Sequence, residues 1–302
     1  MALKKLKKKH HYTPRFLLEF FADDSTKMFW VNDRNIGSVY INAPVNSSII
    51  KGFYHFEMMN GQTSESVEEW LGEIESLAAP VIRRINDADV RLSADEWERL
   101  IYFMSAMKFR NPKHRENIES FHKRRIALWD AMFVANKSLL ESHLRKLEEE
   151  TETKINVSVD DLSDFIKKGE YTVEVGPVES MRHITQLTQD FFCVLAEMNW
   201  GIASIKNEDD EFILGDNPVV LVNDKVHPGT PIGLKMRHTE VQFPVGPKKC
   251  IIGTWEDIYG LSRPLISNTA LVAGVNRGQI AHAHRQIFSR KEPTRIYPST
   301  KE

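Results

Sequence analysis

Apolar residues recur three and four positions apart between about residues 64 and 198, the spacing that lines one face of a helix. One helix is predicted from Ser66 through Trp70, Leu71, Ile74, Leu77 and Ala78 to Ile85. Ser93-Ala94-Asp95-Glu96 has the form of a capping box. In that arrangement the serine hydroxyl accepts the N–H three residues on, and the glutamate reaches back to the serine N–H. The helix it opens carries Leu100, Ile101, Met104 and Met107 on one side. Pro112 restarts a long, charge-rich helix towards Glu150. A fourth helix is predicted from Pro177 to Met198, through Met181, Ile184, Leu187, Phe191, Phe192 and Leu195.

The flanks read differently. Thr13 is placed to cap an opening helix, Pro14 suits its first turn, and Phe16, Leu17, Phe20 and Phe21 form its apolar face. Lys27-Met28-Phe29-Trp30-Val31 and Ser38-Val39-Tyr40-Ile41 read as short strands. From Trp200 strand patterns take over. Gly201-Ile202-Ala203-Ser204-Ile205 and Phe212-Ile213-Leu214-Gly215 flank the acidic turn Asn207 to Asp210 and predict a hairpin. Val219 to Val222, Val241 to Val245 and Cys250 to Thr254 follow as strands, and an amphipathic helix over Asn268 to Ser289 ends the pattern. Helices followed by antiparallel strands give an α+β fold. The expectation is N-terminal short strands and a central helical bundle packed on a C-terminal, mainly antiparallel sheet, closed by a C-terminal helix. Without an internal repeat or low-complexity linker, 1–302 reads as a single integrated domain. Its parts are a basic flexible arm (1–9), a mainly helical part (10–198) and a β-rich part with the terminal helix (199–302).

Charge narrows the partners. Forty basic against 42 acidic residues leave a net charge of −2, which excludes a polycation, so any nucleic-acid binding must come from local patches. Two patches stand out. Lys4, Lys5, Lys7, Lys8 and Lys9 form one, and Lys108, Arg110, Lys113, Arg115, Lys123, Arg124 and Arg125 form the other. Cys193 and Cys250 are the only cysteines, and both sit in apolar runs. They read as small buried residues of a reducing, cytoplasmic setting rather than as a disulfide or metal pair. No apolar run is long enough to span a bilayer, and the basic start lacks the uninterrupted apolar stretch of a secretory signal.

The polar chemistry concentrates in a few places. Gly215-Asp216-Asn217-Pro218 follows an apolar strand, so Asp216 and Asn217 sit where the backbone turns. An Asx turn before proline accounts for them structurally. Functionally, a carboxylate and an amide at a strand end can position water and bind a polar ligand edge. Around Pro112, Arg110 ends one helix and Arg115 lies in the first turn of the next. That reads either as capping and charge pairing or as a clamp for phosphate or carboxylate. Lys123 and Arg124 continue the basic surface as phosphate contacts. His11 abuts the Pro14-Arg15 turn, as a general acid/base or phosphate donor or as a structural histidine. Glu75 lies on an apolar helix face, where an ion pair with Arg15 or Arg110 is the expected role. Adjacent His10 and His11 diverge and His282 and His284 point apart on a helix, so no metal site and no cofactor is expected. Tyr12, Tyr54 and Trp200 are the candidate stacking aromatics for a flipped base.

Blocks in order along the chain resemble the family of the domain of unknown function DUF4238. They are His11 to Ala22, Gly52-Phe53-Tyr54, Ile74-Glu75-Ser76 with Ala78-Ala79-Pro80, and Arg110 to Arg115. Phe212 to Val219, Phe243-Pro244 and Asn276 complete the series. The pattern departs at Gly215, where a small hydroxyl residue is more usual. The resemblance implies a bacterial protein, with defence against phage among the expected roles. Gly215 to Pro218 also looks like the water-activating motif of uracil-DNA-glycosylase-like enzymes. Carried over, Asn217 would hold the attacking water and Asp216 would be its polar neighbour. The expected function is therefore a hydrolytic enzyme acting on nucleic acid, DNA first, by base excision. Catalytic roles are expected for Asp216, Asn217 and His11, and substrate contacts for Arg15, Tyr54, Arg110, Arg115, Lys123 and Arg124. Glu75 and Asn276 are expected to be structural. A nuclease, or a module that binds nucleotide or nucleic acid without chemistry, is the alternative.

Overall fold

The computed structural model describes residues 9–57, 63–172, 177–227, 229–256, 265–267 and 269–293. Lys4, Lys5, Lys7 and Lys8 of the basic arm lie outside the described residues. Contacts divide the chain into two compact units, Met1–His114 with Met181–Glu302, and Arg115–Ser180. The second unit falls inside the stretch that reads in sequence as one helical part.

The first unit opens with β1 (Lys9–His11), α1 (Arg15–Phe20), β2 (Phe29–Asp33) and β3 (Ser38–Asn42). A tight turn at Pro44–Asn46, β4 (Ile49–Lys51), β5 (Phe56–Glu57) and β6 (Thr63–Ser64) lead to the long helices α2 (Ser66–Asp87) and α3 (Ala94–Phe109). Helices α4 (Pro112–Ala135), α5 (Lys137–Thr151) and α6 (Val159–Lys168) follow, and α7 (Pro177–Leu195) returns the chain to the first unit. Strands β7 (Asn199–Ile205), β8 (Leu214–Gly215), β9 (Val220–Val222), β10 (Glu240–Gly246), β11 (Lys249–Thr254) and β12 (Leu265–Ser267) come next. Helix α8 (Thr269–His282) and β13 (Gln286–Ser289) complete the described chain. The fold is α+β.

Two sheets organise the first unit. One has the order β12-β7-β11-β10-β9, antiparallel except for the β12–β7 pair. The other has the order β3-β2-β13-β8 and is antiparallel throughout. Strand β10 lies against α1 and α2. Phe103 of α3 sits 5.6 Å from the Phe16 ring and 6.0 Å from the Phe243 ring. Leu17, Leu18 and Phe21 from α1, Leu71 and Ile82 from α2, and Val241 and Val245 from β10 fill the same core. Each such side chain removed from water contributes about 1.5–3 kcal/mol.

Several boundaries differ from the sequence pattern for identifiable reasons. The Ser93 capping box forms as expected. Thr13 does not cap α1: Pro14 is the N-cap, and the buried Thr13 hydroxyl has no hydrogen-bond partner among the described residues. The long helix expected to reach Glu150 breaks at Asn136, whose side chain accepts the Leu139 N–H and starts α5. The hairpin expected between 201–205 and 212–215 does not form. Instead β7 pairs with β11 and β12, and β8 pairs with β13. The segment between them is held by the β10–β11 turn. Ile205 N–H bonds the Lys248 carbonyl, Phe212 N–H bonds the Pro247 carbonyl, and the Lys248 ammonium takes the carbonyls of Asn207, Glu208 and Asp210. The final helix ends at His282, and β13 replaces its last turns. Cys250 is buried, with its thiol pushed up by desolvation, whereas Cys193 is exposed on α7.

The second unit is held by its own contacts. Ser158 caps α6 through the Asp161 N–H, Lys137 pairs with Asp160, and the Tyr171 hydroxyl donates to Asp130. Among the described residues no helix is long and apolar enough to cross a membrane.

Candidate functional site

The turn after β8 is tied to α8 and β13 in both directions. From α8, Asn276 Oδ1 accepts the Ile213 N–H at 3.0 Å and Asn276 Nδ2 donates to the Glu211 carbonyl at 2.9 Å. One helical turn on, Gln279 Oε1 accepts the Gly215 N–H at 2.9 Å and Gln279 Nε2 donates to the Pro218 carbonyl at 2.8 Å. The spacing of three residues puts both amides on one helix face, so they clamp the chain before and after the turn. In return, Asp216 accepts the N–H groups of His284, Arg285 and Gln286 at 2.7, 2.9 and 2.9 Å. Those donors would have continued α8, and their capture is why the helix stops and β13 begins. The Tyr12 hydroxyl reaches Asp216 Oδ2 at 3.5 Å. Asp216 is completely buried; desolvation raises its pKa, and the three backbone N–H bonds pull the other way.

The segment around Pro112 meets this turn. Asn111 caps α4: its Oδ1 accepts the His114 N–H at 2.9 Å. Its Nδ2 donates to Asn217 Oδ1 at 3.1 Å, and Asn217 Nδ2 donates to the His282 carbonyl at 3.2 Å. The half-buried Asn217 amide is thus fixed at both ends. Arg110, 2% exposed, is spent inside the protein. It pairs with Glu75 at 2.6 Å, donates to the His11 carbonyl at 2.7 Å, and bonds the Tyr54 hydroxyl at 3.2 Å. Burial alone would lower its pKa, but Tyr54 and Glu75 more than offset that and hold the guanidinium charged.

Near the Asn217 turn lies a group of basic side chains whose pKa values burial pulls down. Lys108 donates to the Val219 carbonyl at 2.9 Å, and desolvation pulls its pKa down to about 8. His114 is pulled down to about 4 by burial, then by the charges of Lys108 and His183. Burial also lowers His282, against its bond to the Gly278 carbonyl, and Lys108 lowers it further. Among the described residues no carboxylate contributes to any of these shifts. A bound anion would relieve all three, because opposite charge favours the protonated forms.

Over residues 9–293 the chain matches the family described as protein of unknown function, DUF4238. The chain belongs to that family. No curated protein and no solved structure matches it. The blocks that carry the DUF4238 resemblance are those that the hydrogen bonds join. His11, Tyr54 and Glu75 meet on Arg110, Asn111 meets Asn217, and Asn276 holds the strand before the turn. At Gly215, the family departure, a Cβ would come within 3.0 Å of the Gln279 carbonyl and 3.3 Å of Ala283 Cβ, so α8 passes too close for a side chain without adjustment.

The other expected site residues serve the frame, pair locally or belong to the second unit. The His11 ring bonds the Ser47 carbonyl through Nδ1 at 3.0 Å. Tyr54 is fully buried and its hydroxyl donates to the Arg110 carbonyl, so it offers no face to a base. Glu75 pairs with Arg110, while exposed Arg15 pairs with Glu19 at 2.8 Å. Arg115, 3.6 Å from Glu119, and exposed Lys123 and Arg124 belong to the second unit. His10, His55 and Glu65 bring potential ligand atoms within 4.8 Å of one another, a grouping that reading His10 beside His11 did not reveal. The Tyr54 N–H donates to His10 Nδ1 at 3.0 Å, which leaves the ring proton on Nε2. Neutral His10 then has no lone pair to give a metal. Lys108, Asn111, Gln279 and His282 are the contributors that the sequence did not single out as site residues. Gln279 lies three residues after Asn276, and that amide spacing was the available signal.

Proposed function

We propose that the chain acts hydrolytically on nucleic acid, with excision of a base at the N-glycosidic bond as the first reading. The observation that carries it is the Asn217 amide, held by Asn111 and the His282 carbonyl in the turn after β8, two residues before the Val219 carbonyl that Lys108 bonds. Its oxygen keeps one lone pair and its nitrogen one N–H, enough to orient a water. That water adds to the sugar C1′, the C1′–N bond breaks, and the water's proton leaves with the base. Lys108 and the neighbouring histidines hold the phosphate. Asp216 serves by fixing the turn, since its carboxylate is spent on the N–H groups of 284–286.

Incubation with plain and base-modified DNA, scored for free base and for strand breaks, tests this reading. Free base without scission supports excision, and scission points to the nuclease alternative. Asn217→Ala should abolish product while leaving DNA affinity nearly intact. The cluster of basic groups without a carboxylate favours a second reading, a module that binds phosphate ligands without chemistry. In that case DNA is held, no product forms with any substrate, and Lys108→Met weakens binding. The proposed role in defence against phage is tested by comparing plaque counts on cells carrying the wild type and Asn217→Ala.

A further inference from the structure

Neither Tyr12 nor Tyr54 can offer a ring face to a base at the Asn217 turn. Tyr12 is 4% exposed and Tyr54 is fully buried. A pocket of about 440 Å³ instead opens at the other end of α3, lined by Trp97, Glu98, Phe192, Asn199 and Trp200 among others. Its volume lies within the range of small-molecule sites. The Trp97 and Trp200 ring centroids are 6.3 Å apart and inclined by 33°.

Trp200 is fixed for such use. Its Nε1–H donates to the Leu195 carbonyl at 2.9 Å. Gly253 lies directly against its six-membered ring: a Cβ there would fall 2.6 Å from the ring carbons, so only glycine lets the indole rest on β11. The polar groups at the pocket are one amide and one carboxylate. Asn199 Nδ2 gives one N–H to the Glu256 carbonyl at 2.9 Å, which leaves the amide oxygen and one N–H. Glu98 is exposed and makes no hydrogen bond or ion pair among the described residues. No lysine, arginine or histidine lines the pocket among the described residues.

We infer that this pocket takes a flat, donor-bearing heteroaromatic ring, a guanine-type base, stacked on the indoles with its adjacent N–H groups on the Glu98 carboxylate. Two parallel N–H donors match a carboxylate as a guanidinium does. Rings nearer parallel than perpendicular suit a flat ligand better than a rounded quaternary ammonium. With no basic side chain in the described lining, the phosphate is left to a group outside the pocket, such as Lys108. The eleven steps from Trp97 to Lys108 rise about 16 Å along α3. That is on the order of five stacked nucleotides, so one strand can reach both places.

This inference rests on the nucleic-acid reading, and free guanosine tests it apart from that reading. Calorimetric titration of the full chain with guanosine should give saturable binding, tighter than with uridine or choline. Glu98→Gln, an exposed substitution that should leave the fold intact, should weaken guanosine by about tenfold or more. Trp97→Ala should remove the binding, while Asn217→Ala leaves it unchanged. Absence of guanosine binding, equal binding by Glu98→Gln, or a preference for choline overturns the pocket's assignment. Guanosine bound by a chain that holds no oligonucleotide keeps the assignment and overturns the nucleic-acid reading instead.

Discussion

The Asn111 side chain joins two distant parts of the chain: it caps α4 through the His114 N–H and donates to Asn217 Oδ1 at 3.1 Å. One amide therefore both starts a helix and orients the proposed working residue. Asn111→Ala should lose the cap, at about 1–2 kcal/mol, and release one end of Asn217. Asn217→Ala removes two hydrogen bonds of a half-buried amide and should cost about 1 kcal/mol while abolishing product. Chemical denaturation beside a product assay separates them. Equal loss of activity and stability in both variants would show the pair to be purely structural.

Gln279 satisfies the Gly215 N–H and the Pro218 carbonyl with one side chain. Gln279→Ala leaves both buried groups without partners, at about 1–3 kcal/mol each. Gly215→Ser should cost about 1–3 kcal/mol by crowding the Gln279 carbonyl, unless α8 moves. Urea unfolding of both variants gives the values. A neutral Gln279→Ala would mean that water replaces the amide.

Much of this frame was legible in the chain. The capping box at Ser93, the restart at Pro112 and the strands of the C-terminal part follow from local pattern alone. The Asp216-Asn217 turn was visible as a place of polar chemistry, but the division of labour within it was not. Asp216 faces the 284–286 backbone and Asn217 faces Asn111 because α8 lies alongside β8, a long-range packing fact with no local signature. The same contact ends α8 at His282, where helical periodicity alone ran on to Ser289. Arg110 was readable as a charge near a helix end. Its burial against Glu75 and Tyr54 depends on β1 and α2 arriving beside it.

Lys108 should set the pH range of the proposed anion binding. Its amine is charged below about 8, and phosphate binding favours that charged form. Affinity for inorganic phosphate should be highest below pH 8 and fall as pH rises through it, by up to about tenfold per pH unit. Lys108→Met should bind more weakly at pH 7.5 and lose this dependence. Titration calorimetry from pH 7.5 to 9.5 provides the curve. A wild-type affinity that stays level across that range would remove Lys108 from the phosphate site.

His114 makes stability depend on acid. Its folded pKa of about 4 lies below its ordinary value of 6.5, so the folded chain resists a proton that the unfolded chain accepts. The unfolded state therefore binds more protons between these values, and stability falls as pH drops from 6.5 to 4. Above 6.5 the ring is neutral in both states and contributes no slope. The full effect is on the order of 3 kcal/mol. His114→Phe keeps an aromatic ring 4.9 Å from Phe109 and removes the titration. Subtracting the variant's stability curve from the wild type's isolates the histidine from the acidic residues that also titrate below pH 5. The difference should shrink or reverse in favour of the variant as pH falls below 6.5. Adding phosphate should diminish the wild type's acid loss if the anion sits beside Lys108 and His114, and leave it unchanged if it does not.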